Sequence, residues 1–241
     1  VRFLGLFALV CVVLAAGLIT HGEYATAAVA LCVAVFSGFI MRAWKNMPTA
    51  IAWGTSDSTG TTVRMDKRVE FPSLVGFGAI GIGFAVGGVF AALNKLAILI
   101  PNTFGRIWGL TLGWVMGGLF VVGIVIALRR PGLCSIRLTP DGFTFAEGFT
   151  TTSGTWADVT DISNNAPAGV QAPCPITMEM RDDKPKAFKN AVVFGLYGRV
   201  VLAFVQFYWQ HPEYRGELTD DRALNRLQAM QREDGVAQSQ H

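Results

Sequence analysis

Four stretches of this chain are too apolar to stand alone in water: residues 3–20, 25–41, 73–93 and 107–128. About 20 mostly apolar residues in a helix cross the hydrocarbon core of a bilayer, and the second stretch is slightly short of that. The spacing therefore predicts four transmembrane helices. The first two are joined by about four residues, "HGEY", and read as a tight helical hairpin. Charge is distributed to match. Only 15% of residues are charged, against roughly 25% in a typical soluble domain, and most acidic residues follow Arg129. A membrane part followed by a soluble part is the organisation this implies.

The first stretch also has features of a signal peptide: Arg2, an apolar run and an Ala25-Thr26-Ala27 pattern. Its apolar run is long for that role, and a second apolar run ending in "MRAWK" follows at once, so a span is the preferred reading. Lysine and arginine set the orientation. Arg42 and Lys45 follow the second span, Arg64, Lys67 and Arg68 precede the third, and Arg129 and Arg130 follow the fourth. His21, Glu23, Lys95 and Arg106 face the other side. This bias predicts a multi-pass protein of the plasma (inner) membrane with both termini cytoplasmic. The apolar segment "NKLAILIPNTFGR" is then external and suited to the interface.

Glycine weakens a water-soluble helix by about 1 kcal/mol relative to alanine. Yet Gly105, Gly109, Gly113 and Gly117 recur every fourth residue around the fourth span. In a membrane, apolarity does not drive helices together, whereas close backbone packing across small residues does. The third span carries Ala79, Gly83, Gly87 and Ala91 in similar register, so the expectation is that spans three and four pack along these two stripes. A contact with another copy or another protein is the alternative. Gly76, Gly78, Gly81 and Gly88 form a second small surface on span three that keeps it open. No Asp, Glu, Lys or Arg lies near the middle of a span, which argues against a pump or coupled transporter acting alone.

Residues 43–72 form a cytoplasmic loop in which "TAIAW" and "TTVRM" have strand composition around the turn signal "GTSDSTG", so a β-hairpin is expected, with a disordered loop as the alternative. Beyond Arg130 the texture becomes that of strands. Ile136 and Leu138 alternate before a Pro-Asp-Gly turn, "FTFAEGFTTTSGTW" reads as strand, loop, strand, and Ile176, Met178 and Met180 alternate again. "AVVFGLY" reads as a short buried strand. From about Arg199 the period becomes helical through Val200, Phe204, Phe207 and Tyr208, until His211-Pro212 stops it. Residues 219–241 read as a short amphipathic helix on Leu224, Leu227 and Met230 with a disordered tail.

Within residues 131–218 particular motifs carry a resemblance. Leu138, Gly142, Trp156 and Val159, followed by His211, Pro212, Arg215 and Leu218, resemble the pattern of pleckstrin-homology-like (PH-like) domains in bacterial, notably actinobacterial, membrane proteins. The resemblance implies a soluble α+β domain: a β-sandwich or barrel closed by a C-terminal helix, with Trp156 on its third strand. It departs from phosphoinositide-binding PH domains. The first strand-strand turn is "TPDG", where those domains place the cations that would meet phosphates by charge-assisted hydrogen bonds. Arg181, Lys184, Lys186 and Lys189 are the candidate headgroup contacts, diluted by Asp182 and Asp183.

No catalytic signature appears. His21, His211 and His241 fit no triad or metal spacing, and Cys11, Cys32, Cys134 and Cys174 form no zinc pattern or disulfide framework. A net charge of +3 without a basic, aromatic-interleaved stripe does not suit nucleic acid. The expectation is a non-catalytic, membrane-anchored interaction module without metal or cofactor. Its partners would be the bilayer and other membrane subunits, for which it would serve as an accessory or scaffold. The alternatives are a subunit of a transport or enzyme machine whose active residues lie in another chain, and a homo-oligomeric scaffold or lipid sensor.

Overall fold

A computed structural model describes residues 2–93, 103–129, 132–148, 150–167, 169, 172, 174–181, 184–195 and 198–238. The chain divides into two units, Val1–Asn46 with Arg68–Leu128, and Met47–Lys67 with Arg129–His241.

The first unit is helical: α1 (Arg2–Thr20), α2 (Tyr24–Asn46), α3 (Lys67–Ala92) and α4 (Thr103–Arg129). Helices α1 to α3 are long and apolar enough to cross a membrane, and α4 contains a shorter apolar stretch, Thr111–Ile126, among the described residues. Phe3 and Val13 on α1 are 77% and 64% exposed, so α1 presents to its surroundings an apolar face that hydrocarbon suits. The predicted external segment lies largely outside the described residues.

Helix α3 is central, and its two small surfaces meet different neighbours. A Cβ built on Gly83 would lie 2.9 Å from Cys32 Cβ, and one on Gly87 would lie 3.5 Å from Val29, both on α2. Gly76 faces Ile40 and the Phe36 carbonyl, also on α2. The other surface meets α4 in antiparallel register, with Gly78 against Ile124, Gly81 against Phe120, Ala85 against Gly117 and Gly88 against Gly113. The expected pairing is thus corrected. Gly113 and Gly117 do lie on α3, but against Gly88 and Ala85, while the Gly83–Gly87 stripe receives α2. The two stripes have the same period, and only their angular offset on α3 separates them. Ala91 is buried and Ala79 half-buried. The surroundings of Gly105 and Gly109 lie outside the described residues.

One local compensation follows from Pro72 inside α3. Proline lacks the N–H that would bond the carbonyl four residues earlier. That carbonyl belongs to Arg68, and the Asn46 side-chain amide donates to it at 2.9 Å. Ser37 and Ser73 likewise satisfy their hydroxyls on the carbonyls of Val33 and Val69.

The second unit has two antiparallel sheets. The five-stranded sheet runs in chain order: β1 (Trp53–Asp57), β2 (Gly60–Arg64), β3 (Cys134–Leu138), β4 (Gly142–Glu147) and β5 (Thr150–Thr155). The three-stranded sheet holds β6 (Val159–Ser163), β7 (Ile176–Met180) and β8 (Lys186–Phe188). Then come α5 (Arg199–Gln210), a 3-10 helix over Pro212–Thr219, and α6 (Arg222–Gln238). The core joins both sheets to α5 through Ile136, Phe145, Met178, Phe188, Phe204 and Tyr208, all almost fully buried.

The inter-helix segment is a hairpin, and it belongs to this core. Val63 pairs with Ile136, and Thr62 with Arg137. Val63 and Met65 are buried, at 0% and 3% exposed. The first strand begins at Trp53, later than "TAIAW" suggests, and most of "GTSDSTG" is strand. The turn contracts to Ser58-Thr59 because the Asp57 carboxylate accepts the Thr59 and Gly60 N–H groups at 2.8 and 3.0 Å.

Three further expectations are corrected. Trp156 lies in a 3-10 turn, Trp156–Asp158, and not on a strand; Val159 opens β6. "AVVF" of the supposed buried strand is a 3-10 turn, Ala191–Phe194, ended by Gly195 at φ +93°. The helix α6 continues to Gln238, so most of the supposed tail is ordered helix, and Leu227 is 2% exposed. The sheet unit accordingly exceeds residues 131–218 at both ends.

Hydrogen bonds to the Thr59 hydroxyl, to Arg137 and to the Thr59 N–H hold the Asp57 carboxyl well below the usual carboxylate range. A group with a depressed folded pKa stabilises above its unfolded value and loses that contribution as pH falls through the folded one. The hairpin turn should therefore be tight above about pH 4 and loosen progressively below it. Amide exchange at Thr59 and Gly60, corrected for intrinsic rates, should show that loss in the native chain and not in Asp57→Asn.

Candidate functional site

The motif residues that suggested the soluble fold form a structural lock. Trp156 is 3% exposed and packs on Phe143 in a tilted arrangement, with ring centres 5.7 Å apart. Its indole N–H donates to the Thr139 carbonyl at 2.8 Å. The Arg215 guanidinium lies 5.1 Å from its ring centre and donates to the Tyr208 and Trp209 carbonyls at 2.8 and 3.2 Å. Arg215 thereby caps the end of α5 after His211-Pro212 stops the helix. Leu218, next in the motif, is fully buried. Trp156→Ala should cost about 3–5 kcal/mol, leaving the Thr139 carbonyl unpaired. Trp156→Phe, which keeps most of the ring, should cost about 1–3 kcal/mol for the lost indole donor. Thermal unfolding of the two variants should keep that order.

A second lock joins α5, the 3-10 helix and α6. Arg226 forks onto the Glu217 carboxylate at 2.9–3.0 Å, and the Tyr208 hydroxyl donates to the same carboxylate at 3.2 Å. Burial, then the Glu217 charge, pushes the Tyr208 hydroxyl upward, so it stays protonated and remains a donor. Thr61 and Ser56 of the hairpin donate to the carbonyls of Leu218 and Asp220 at 2.7 and 2.8 Å.

The candidate headgroup residues are strung along the chain around β8. Arg181 and Lys184 are exposed and precede it, Lys186 opens it, and Lys189 follows it. The Lys189 and Asn190 N–H groups are taken by the Glu147 carboxylate at 2.9 and 3.0 Å. That acidic side chain sits inside the stretch and reduces its positive field.

Among the described residues no cluster of three His, Cys, Asp or Glu side chains is placed to hold a metal ion. The four cysteines are free thiols. His211 pairs with Glu213 at 3.1 Å and packs on Phe207, with ring centres 4.8 Å apart.

A concave feature of the sheet unit lies elsewhere. A cavity of about 480 Å³ opens between the strand-entry residues 50–54, Phe194, Gly195 and Gly198, the start of α5 and the face of α6. Small-molecule pockets span roughly 300–1,000 Å³. Its apolar wall includes Ile51, Trp53, Phe194, Val200, Leu224 and Leu227, and its polar rim is Gln228, Gln231, Arg232 and Asp234. Two glycines shape the wall. At Gly195 a Cβ would overlap the Ala50 carbonyl, and the positive φ independently excludes most side chains. At Gly54 a Cβ would lie 2.7 Å from Leu224 Cδ2. Trp53 is held by its indole N–H on the Met65 carbonyl at 2.7 Å, with Lys67 and Arg64 over its ring at 4.5 and 5.2 Å from the centre. The Gln231 amide pins α6 to the Ala52 carbonyl at 2.7 Å.

Nothing local in the sequence marks these cavity residues as a set, because they come together from three separated segments. Comparison with family models, with curated proteins and with solved structures gave no match.

Proposed function

We propose that this chain is a four-span membrane protein whose PH-like soluble unit works as a non-catalytic interaction module, an accessory or scaffolding subunit of a larger membrane complex. The observation that carries the four-span part of this reading is the pairing of β2 with β3. A sheet open at its edges does not straddle a bilayer, where unpaired backbone groups have no water. The two strands therefore share one side. The chain between them, residues 65–133, must cross an even number of times. Helix α3 has the length and apolarity of one crossing, and the 27-residue α4 supplies the return. Arg42, Lys45, Arg64, Lys67, Arg68 and Arg129 then lie on the side of the soluble unit, which the positive-inside rule makes cytoplasmic. Two consecutive antiparallel meanders, β3–β5 and β6–β8, followed by α5, support the PH-like plan.

Single cysteines at Ser58 and Gly235, both exposed, in a background with the four native thiols changed to serine, test the topology. A membrane-impermeant maleimide should label both from the same side of sealed vesicles. Labelling from opposite sides rules out the four-span arrangement. Mild-detergent purification of the native protein tests the role: a partner at fixed stoichiometry is expected, and recovery of the chain only as itself defeats the accessory-subunit reading.

A further inference from the structure

We infer that the cavity beside Trp53 is a binding site for a single-chain amphiphile: one acyl chain against the apolar wall, with an anionic headgroup at the α6 rim. The inference rests on the membrane anchoring proposed above and adds a ligand to it.

Three features point to this class. First, the wall is aliphatic and aromatic, with Ile51, Val200, Leu224 and Leu227 beside the Trp53 ring, and the volume of about 480 Å³ lies in the lower half of the small-molecule range. That accommodates one chain and not a whole diacyl lipid. Second, donors are concentrated at one end. Arg232 offers a guanidinium with no acceptor of its own, and Gln228 adds an amide; both are exposed at the rim. The Gln231 amide is already spent on Ala52, and Asp234 is the one carboxylate among the lining residues. An apolar wall ending in donors matches a chain ending in a carboxylate or phosphate. Third, the wall is continuous in sequence with a span: only Met47–Thr49 separates Asn46, the last residue of α2, from Ala50. Acyl chains are the most abundant ligands available to a site tethered in that way. They come from two sources, free fatty acid and membrane lipid, and both present the same chemistry to the wall.

The test uses the full chain in nanodiscs with two photoreactive probes, diazirine-bearing palmitate and phosphatidylglycerol carrying the same diazirine chain. Cross-linked peptides are mapped by mass spectrometry. Label is expected in the peptides covering 50–54 and 224–234, as well as in α1 to α3. Palmitate labelling alone identifies a free fatty acid, and phosphatidylglycerol labelling identifies a lipid-borne chain; either supports the site. Val200→Trp, which plugs the cavity, should lower the cavity label about tenfold, the scale of overpacking a filled space. Arg232→Gln, at an exposed position, should lower it about threefold, the scale of one exposed ion pair. The second variant carries the test if the tryptophan variant does not fold. Label in α1 to α3 with none at the cavity, or cavity label unchanged by both substitutions, overturns the site and leaves the membrane reading intact. Cavity label with none in α1 to α3 does the reverse.

Discussion

Gly113→Leu is expected to lower the unfolding midpoint of the detergent-solubilised chain by roughly 6–12 °C, corresponding to about 3 kcal/mol in a chain of this size. The reason is the kind of atom in the way. A Cβ at residue 113 would stand 2.7 Å from Gly88 Cα and 2.9 Å from the Phe84 carbonyl oxygen. Backbone atoms do not rotate aside as a side-chain tip does, so α3 and α4 must separate. Separation also loosens the Phe84–Phe120 stack, whose ring centres are 6.0 Å apart. Gly113→Ala should already show part of the effect. Gly118→Leu is the control, because nothing lies within 4 Å of a Cβ there. Equal midpoints for Gly113→Leu and Gly118→Leu would show that the glycine contact is not what holds the pair.

The second large effect concerns where the sheet unit begins. A fragment spanning 130–241 should fail to unfold cooperatively, whereas one joining 47–67 to 130–241 through a flexible Gly-Ser linker should melt as a single transition. Removing the hairpin strips Val63 and Met65 from the core, each worth about 1.5–3 kcal/mol of burial. It also leaves β3 with a bare edge beside the fully buried Ile136 and Leu138, and breaks the Thr61 bond to Leu218 in the 3-10 helix and the Ser56 bond to Asp220 just after it. Those losses are comparable with the entire stability of a domain, about 5–15 kcal/mol. Circular dichroism melts of the two fragments decide the matter. A cooperative transition for 130–241 at the temperature of the joined fragment would mean that the hairpin is an ornament on a complete domain.

The contrast between what was legible and what was not has a physical basis. The apolar helices are written in composition, which needs no partner to interpret. Ile136 and Leu138, and the Ile176–Met180 alternation, announce strands because a half-buried sheet has period two. Trp156 and Arg215 could be picked out as a motif, although their roles, a carbonyl-capping guanidinium over a buried ring, are visible only in three dimensions. The β2–β3 pairing joins Val63 to Ile136 across α3 and α4, and no local signal encodes it. "AVVF" misleads because a short apolar run suits a buried strand or a buried turn equally well, and the positive φ at Gly195 decides for the turn. The α3 stripes could be found by their period but not assigned to α2 or α4. The cavity was invisible for the most basic reason, since its walls come from segments as far apart in the chain as Ala50 and Asp234.

The shared sheet also constrains how the chain is made. Strands β1 and β2 leave the ribosome before α3, but β3, the strand that covers β2, follows about 70 residues later. At synthesis rates of about 5–20 residues per second that is several seconds to more than ten. Throughout that interval β2 has one edge bare while the two apolar helices α3 and α4 are being made. Thr55, Ser56, Asp57, Thr61, Thr62 and Arg64 make the waiting hairpin polar along much of its length, a composition that discourages edge-to-edge capture by other nascent strands. The sheet unit is therefore completed last from a piece synthesised early, and an arrest of translation between residues 64 and 134 would strand a hairpin with no sheet to join.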